Sequence, residues 1–159
     1  MRSTNTLTLI IMTILVVGTQ STSAIAASSR DACLLLTQAQ VSAELGVQVQ
    51  AGEHIVETAT TLCGWAPPGG PKINGPKVVL DLKTTQAFDI GKTPIKGVTK
   101  TPVSGIEDGA YYITVGGLGT SLSVRKGDVA FNIAVHGNFS IDQIEAKEKA
   151  LALQVLSKL

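Results

Sequence analysis

The chain has 159 residues, is 44% hydrophobic but only 4% aromatic, and sets 13 Lys+Arg against 12 Asp+Glu for a formal net charge of +1. A balance this even produces no broad field to steer nucleic acid, anionic lipid or acidic substrates. A charged fraction of 16% with a mean hydropathy of +0.28 also excludes a disordered chain, and the length is that of one domain.

Arg2, the apolar run Leu7 to Val17 and a polar stretch ending in Ala24-Ile25-Ala26 have the pattern of a secretory signal peptide over 1–26. The apolar run is about 11 residues, whereas a spanning helix needs about 20. No membrane anchor is therefore expected after cleavage, and residues 27–159 form the expected exported domain, periplasmic or secreted. Acylation at Cys33 is not expected either, because Arg30 and Asp31 stand where a lipobox has small neutral residues. In an oxidising compartment Cys33 and Cys63 are expected to pair, a crosslink that contributes roughly 3.5 kcal/mol by chain entropy.

In chain order, Leu34-Leu35-Leu36 is too apolar for a free tail and should dock on the core. Thr37 with Gln40 makes a capping box, and Gly46 follows as a stop, so a short helix is expected from Gln38 to Leu45. Val47 to Gln50 and His54 to Thr61 are β-compatible and lead into Leu62-Cys63-Gly64-Trp65. Pro67-Pro68-Gly69-Gly70-Pro71 opens a loop that runs to Pro76, because three prolines remove donors and two glycines relax the backbone. Val78 to Leu82 has strand composition. Phe88 and Ile90 anchor a short helix, after which Gly91, Pro94, Gly97 and Pro102 punctuate a long connection.

Three antiparallel strands are expected next, at Ala110 to Val115, Thr120 to Val124 and Val129 to Val135. The turns joining them are Gly116 to Gly119 and Arg125 to Asp128, and Glu107-Asp108 makes a turn ahead of the first. Tyr111 and Tyr112 point to opposite faces, one in the core and one free for the surface. Ser140 with Gln143 caps a final amphipathic helix of about 18 residues, with Ile144, Leu151 and Val155 on its apolar side. The order indicates an α+β domain, an antiparallel sheet with a short N-terminal helix and a long C-terminal helix packed against it.

Few residues point to chemistry. In His54-Ile55-Val56-Glu57 the β-branched pair favours a strand, where residues three apart face opposite ways, and metal binding needs more ligands than this. Two cysteines in an exported chain are more simply a pair than a catalytic thiol with His136. Gly116-Gly117-Leu118-Gly119 precedes a strand, so it offers no helix N-terminus to a phosphate. Asn138-Phe139-Ser140 fits a glycosylation acceptor, although Ser140 has the cap as its role. No catalytic residue, cofactor or metal is expected.

Asp31-Ala32-Cys33-Leu34-Leu35-Leu36-Thr37, Leu45-Gly46, Cys63-Gly64-Trp65, the run Gly105 to Tyr112 and the closing amphipathic helix together resemble small exported bacterial proteins of unknown function. These are typified by actinobacterial lipoproteins with a D-x-C-x-L-L-T … L-G … C-x-W pattern. The resemblance implies a PsbP-like α/β/α sandwich and carries no activity with it.

The function expected from the sequence is that of an exported, non-catalytic binding or accessory module. Its candidate surface is the loop carrying Trp65, Pro67, Pro68 and Pro71, helped by the connection from Phe88 to Pro102. Trp65 is also placed to pack against the disulfide, since it lies two residues beyond Cys63 on one strand. The partner is another exported protein or a small ligand, not nucleic acid or a membrane. The alternative is an inhibitor-like or envelope-assembly protein that presents the proline loop.

Overall fold

The computed structural model describes residues 31–69, 75–106 and 108–159, so the expected signal peptide, Pro71 and Glu107 lie outside the described residues. The described chain begins with Asp31, whose carboxylate caps a 3₁₀ turn, Ala32–Leu34, by accepting the Cys33 N–H at 2.8 Å. Helix α1 follows as Gln38–Leu45. Its capping box forms as expected, with the Thr37 N–H donating to Gln40 Oε1 and the Gln40 N–H to Thr37 Oγ1. Gly46 ends it at φ 70, a left-handed conformation that a β-carbon disfavours.

Among the described residues seven strands form one sheet: β1 (Glu53–His54), β2 (Leu62–Trp65), β3 (Lys77–Thr84), β4 (Val98–Val103), β5 (Ala110–Val115), β6 (Gly119–Lys126) and β7 (Val129–His136). Their order is β1-β2-β3-β7-β6-β5-β4, and every pairing is antiparallel. Helix α2 (Thr85–Gly91) carries the chain from the sheet centre to the far edge, and β4 to β7 then return to pair with β3. Helix α3 (Ile141–Leu156) closes the chain, capped by Ser140 and Gln143. The expected α+β architecture is what forms.

Strand alternation assigns the two faces. The inner face presents Val78 and Leu80 of β3, Leu122 and Val124 of β6, and Phe131, Ile133 and Val135 of β7 to Ile144, Leu151 and Val155 of α3. Val41 and Leu45 of α1 join the same core, as do Leu35 and Leu36. Each fully buried aliphatic side chain here contributes about 1.5–3 kcal/mol of transfer free energy. The outer face carries a smaller cluster in which Phe88 of α2 packs on Tyr111 and Ala130. Helices therefore lie on both faces.

Several expectations are corrected. Both tyrosines are buried: the Tyr112 hydroxyl donates to the Glu145 carbonyl on the inner side, and Tyr111 donates to the Phe88 carbonyl on the outer side. No tyrosine was left for the surface because α2 covers that part of the outer face. Val47 to Gln50 forms no strand, and the His54 to Thr61 segment contributes only the end of β1, with Ile55 and Val56 exposed in the turn that follows. Among the described residues no layer lies beyond this edge to bury them, so their β propensity is not rewarded by burial. The long connection after α2 contains β4, masked in the sequence by Pro102. An edge strand tolerates proline, since one side of its backbone has no ladder bond to lose. Ile90 does not anchor α2 and is 63% exposed.

Candidate functional site

At the β1 edge, polar and covalent links do the work that apolar packing does elsewhere. Cys33 and Cys63 form the expected disulfide across a separation of 30 residues, tying the 3₁₀ turn to β2. The bond is consistent with an oxidising, exported compartment. His54 sits opposite Cys63 in the β1–β2 register, and its Nε2 lies 2.9 Å from Asp31 Oδ1. That hydrogen bond, with the Cys33 N–H and the His54 charge adding to it, holds the Asp31 carboxyl below the usual carboxylate range. Asp31, Cys33 and His54 thus converge, with potential ligand atoms within 4.8 Å of one another. Sequence spacing alone hid this meeting, because the pairing of His54 with Cys63 depends on a two-residue strand. The signal present was Asp31, an acidic residue two positions before a cysteine.

Trp65 is buried on the core side. A β-carbon at Gly52 would stand 2.6 Å from the Trp65 ring and 2.7 Å from Cys63 Sγ, so the backbone at Gly52 lies directly against both the indole and the disulfide. Phe88 is equally buried, 5.1 Å from the Tyr111 ring between centroids. Neither aromatic is free for contact, which removes both from the candidate surface: each fills a gap in an apolar cluster instead. Pro67 is half-buried and Pro68 exposed where the chain leaves β2.

Beside Pro67, on the outer face of the same edge, lies a cleft of about 390 Å³ bounded by Gln50–Ala51, Glu53–Ile55, Gly64–Ala66 and Lys77–Val79. Gly64 and Val79 are register partners on its floor, and Ile55 packs over Gly64, 3.1 Å from where a β-carbon would stand. Glu53, His54 and Lys77 put charges of both signs at the margin. Lys77 also pairs in register with His136, whose imidazole is held below its usual pKa by burial first and by the Lys77 charge second. A wider hollow of about 770 Å³ opens at the Gly117–Gly119 turn, against His136, Asn138 and Phe139.

One buried acid lies apart from both. Glu148 of α3 is fully buried, its Oε1 accepts the Val135 N–H at 3.0 Å, and its Oε2 has no partner among the described residues. The β6–β7 pairing ends at Leu122 and Ile133, so the carboxyl meets β7 just beyond the last registered pair. Burial pushes its pKa up to about 8, against the lowering effect of the Val135 bond. The His54 side chain hydrogen-bonds to Asp31. No helix among the described residues is long and apolar enough to cross a membrane. No family model, curated protein or solved structure matches this chain.

Proposed function

We propose that the chain is an exported, non-catalytic binding module whose recognition surface is the cleft at the β1–β2–β3 edge. The observation that carries this reading is the cleft itself. Its volume lies in the range of small-molecule sites, its floor is Gly64, Val79 and Ile55, and its margin bears Glu53 and Lys77. This chemistry suits a small, partly apolar ligand with one charged or polar end. The disulfide supports the reading by holding β2, which forms one wall, so binding orders little additional chain.

Trp65 is the single tryptophan and borders the cleft, so its fluorescence provides a readout. Titration of the ¹⁵N-labelled exported form with a panel of small aromatic and aliphatic acids, amines and amides is expected to shift amides of Gln50–Ile55 and Lys77–Val79 together with Trp65 emission. Ile55→Asp should abolish both responses with the fold intact. Perturbations centred on His136 and Phe139, or none from any compound, would remove the cleft from the argument.

A second reading is favoured by exposed Pro68 at the exit of β2. In it the same edge meets another exported protein, and exchanging Pro67–Pro71 for a Gly-Ser linker should weaken capture of that protein while leaving the melting temperature within a few degrees.

A further inference from the structure

We infer that Asp31, Cys33, His54 and Cys63 constitute a redox-gated zinc site, closed while the cysteines are bonded and opened to Zn²⁺ when they are reduced. The inference stands independently of the cleft reading. Three of the four groups already converge within 4.8 Å, and the fourth, Cys63 Sγ, is bonded to Cys33. Tetrahedral zinc with bonds of about 2.0–2.3 Å places its ligand atoms about 3.3–3.8 Å apart. Asp31, Cys33 and His54 therefore lie near that geometry already, and reduction frees the Cys63 sulfur from Cys33 to turn toward them. Two thiolates, an imidazole and a carboxylate form a donor set that zinc accepts, whereas calcium and magnesium take oxygen ligands.

The local fold favours the arrangement. Asp31 and Cys33 are placed by one 3₁₀ turn, and His54 and Cys63 by one strand pair, so the site is two pairs facing each other. The Asp31 and His54 side chains are 30% and 28% exposed and Cys33 is half-buried, which leaves an entry path from solvent. The Asp31 carboxylate is oriented toward the site by its contacts with His54 and the Cys33 N–H. Zinc would take the place of the Asp31–His54 hydrogen bond and link the same two elements that the disulfide links.

The chemistry balances with a dithiol as reductant. The dithiol passes two electrons and two protons to the Cys33–Cys63 bond and becomes a disulfide itself. Each new thiol then releases its proton as its sulfur binds Zn²⁺. The oxidised protein has no thiolate to offer, so metal affinity follows the redox state.

The test uses the exported form, oxidised or reduced by a phosphine, with Co²⁺ as a spectroscopic probe and Zn²⁺ as its competitor. The reduced protein is expected to bind one Co²⁺ with the visible bands of tetrahedral coordination and sulfur-to-metal charge transfer, displaced by Zn²⁺. The oxidised protein should show neither. His54→Ala and Asp31→Ala should each weaken Co²⁺ binding about tenfold or more. Zn²⁺ should raise the melting temperature of the reduced protein and not that of the oxidised one. Unchanged affinity in the His54 variant would reduce the site to a bare thiol pair and overturn the proposal. So would a reduced chain that binds no Co²⁺, or one that unfolds and is not refolded by Zn²⁺.

Discussion

The β5–β6–β7 meander under α3 and the β1–β2 edge beside the 3₁₀ turn are held by different physics. In the meander, side chains such as Leu122, Ile133 and Leu151 are fully buried, and stability comes from area removed from water. At the edge, β1 is two residues long, and its attachment rests on a disulfide, a histidine–carboxylate bond and the backbone at Gly52 pressed on Trp65. Packing is distributed over many contacts and degrades gradually, whereas the edge depends on a few links that can be removed one at a time. Chemistry that needs a switchable element belongs at the second kind of structure.

Removing packing from the first region is expected to have the largest effect. Leu151→Ala should cost about 4 kcal/mol, read as a lowered midpoint in denaturant with an unchanged slope, because the site is enclosed by sheet and helix. Cutting the second region should cost less and act locally. Replacing Cys33 and Cys63 together by Ser should lose about 3 kcal/mol. In native-state hydrogen exchange, amides of β2 should lose protection well before those of Leu122 and Ile133; a uniform loss over both regions would show that the two are not separable.

A further effect concerns the buried carboxyl in the packed region, Glu148. The Glu148 pKa is raised in the folded state to about 8, so between its unfolded value and about 8 the folded chain holds a proton that the unfolded chain has released. Stability from this group is complete below the unfolded value and is lost as pH rises through about 8. Glu148→Gln keeps the acceptor for the Val135 N–H and cannot ionise. It should therefore be more stable than the parent at pH 9 and little different at pH 5, seen as a flatter profile of melting temperature against pH. An equal gain at both pH values would mean that the parent carboxyl is not responsible.

The two regions also differ in how well they could be read from sequence. In the meander, alternation in β6 and β7, the Gly127–Asp128 turn and the Ser140 cap are local signals that agree with one another, and the elements form where expected. At the edges, propensity and environment part company. Ile55 and Val56 suggested a strand that has no layer to cover it, and Pro102 concealed a strand that needs no partner on one side. Trp65 lies in the core with Cys63, as its spacing from that cysteine suggests, while Phe88 fills the outer-face cluster and not a contact surface, since a lone aromatic beside a loop carries no sign of which way it turns. The disulfide was an arithmetical inference, but the approach of His54 to Asp31 required the β1–β2 register, which no periodicity in two residues encodes.

The two ends of the sheet constrain how anything can associate with it. At one, β1 offers a ladder of only two residues; at the other, β4 presents Lys100, whose ammonium reaches the Thr93 carbonyl, and Pro102, which has no amide hydrogen to donate. A second copy seeking to add itself strand to strand meets too short a template on one side and a charge and a missing donor on the other. Self-extension into larger sheets is thereby discouraged. Contact with other molecules is directed to side chains on the faces and loops, not to the open hydrogen bonds of the backbone.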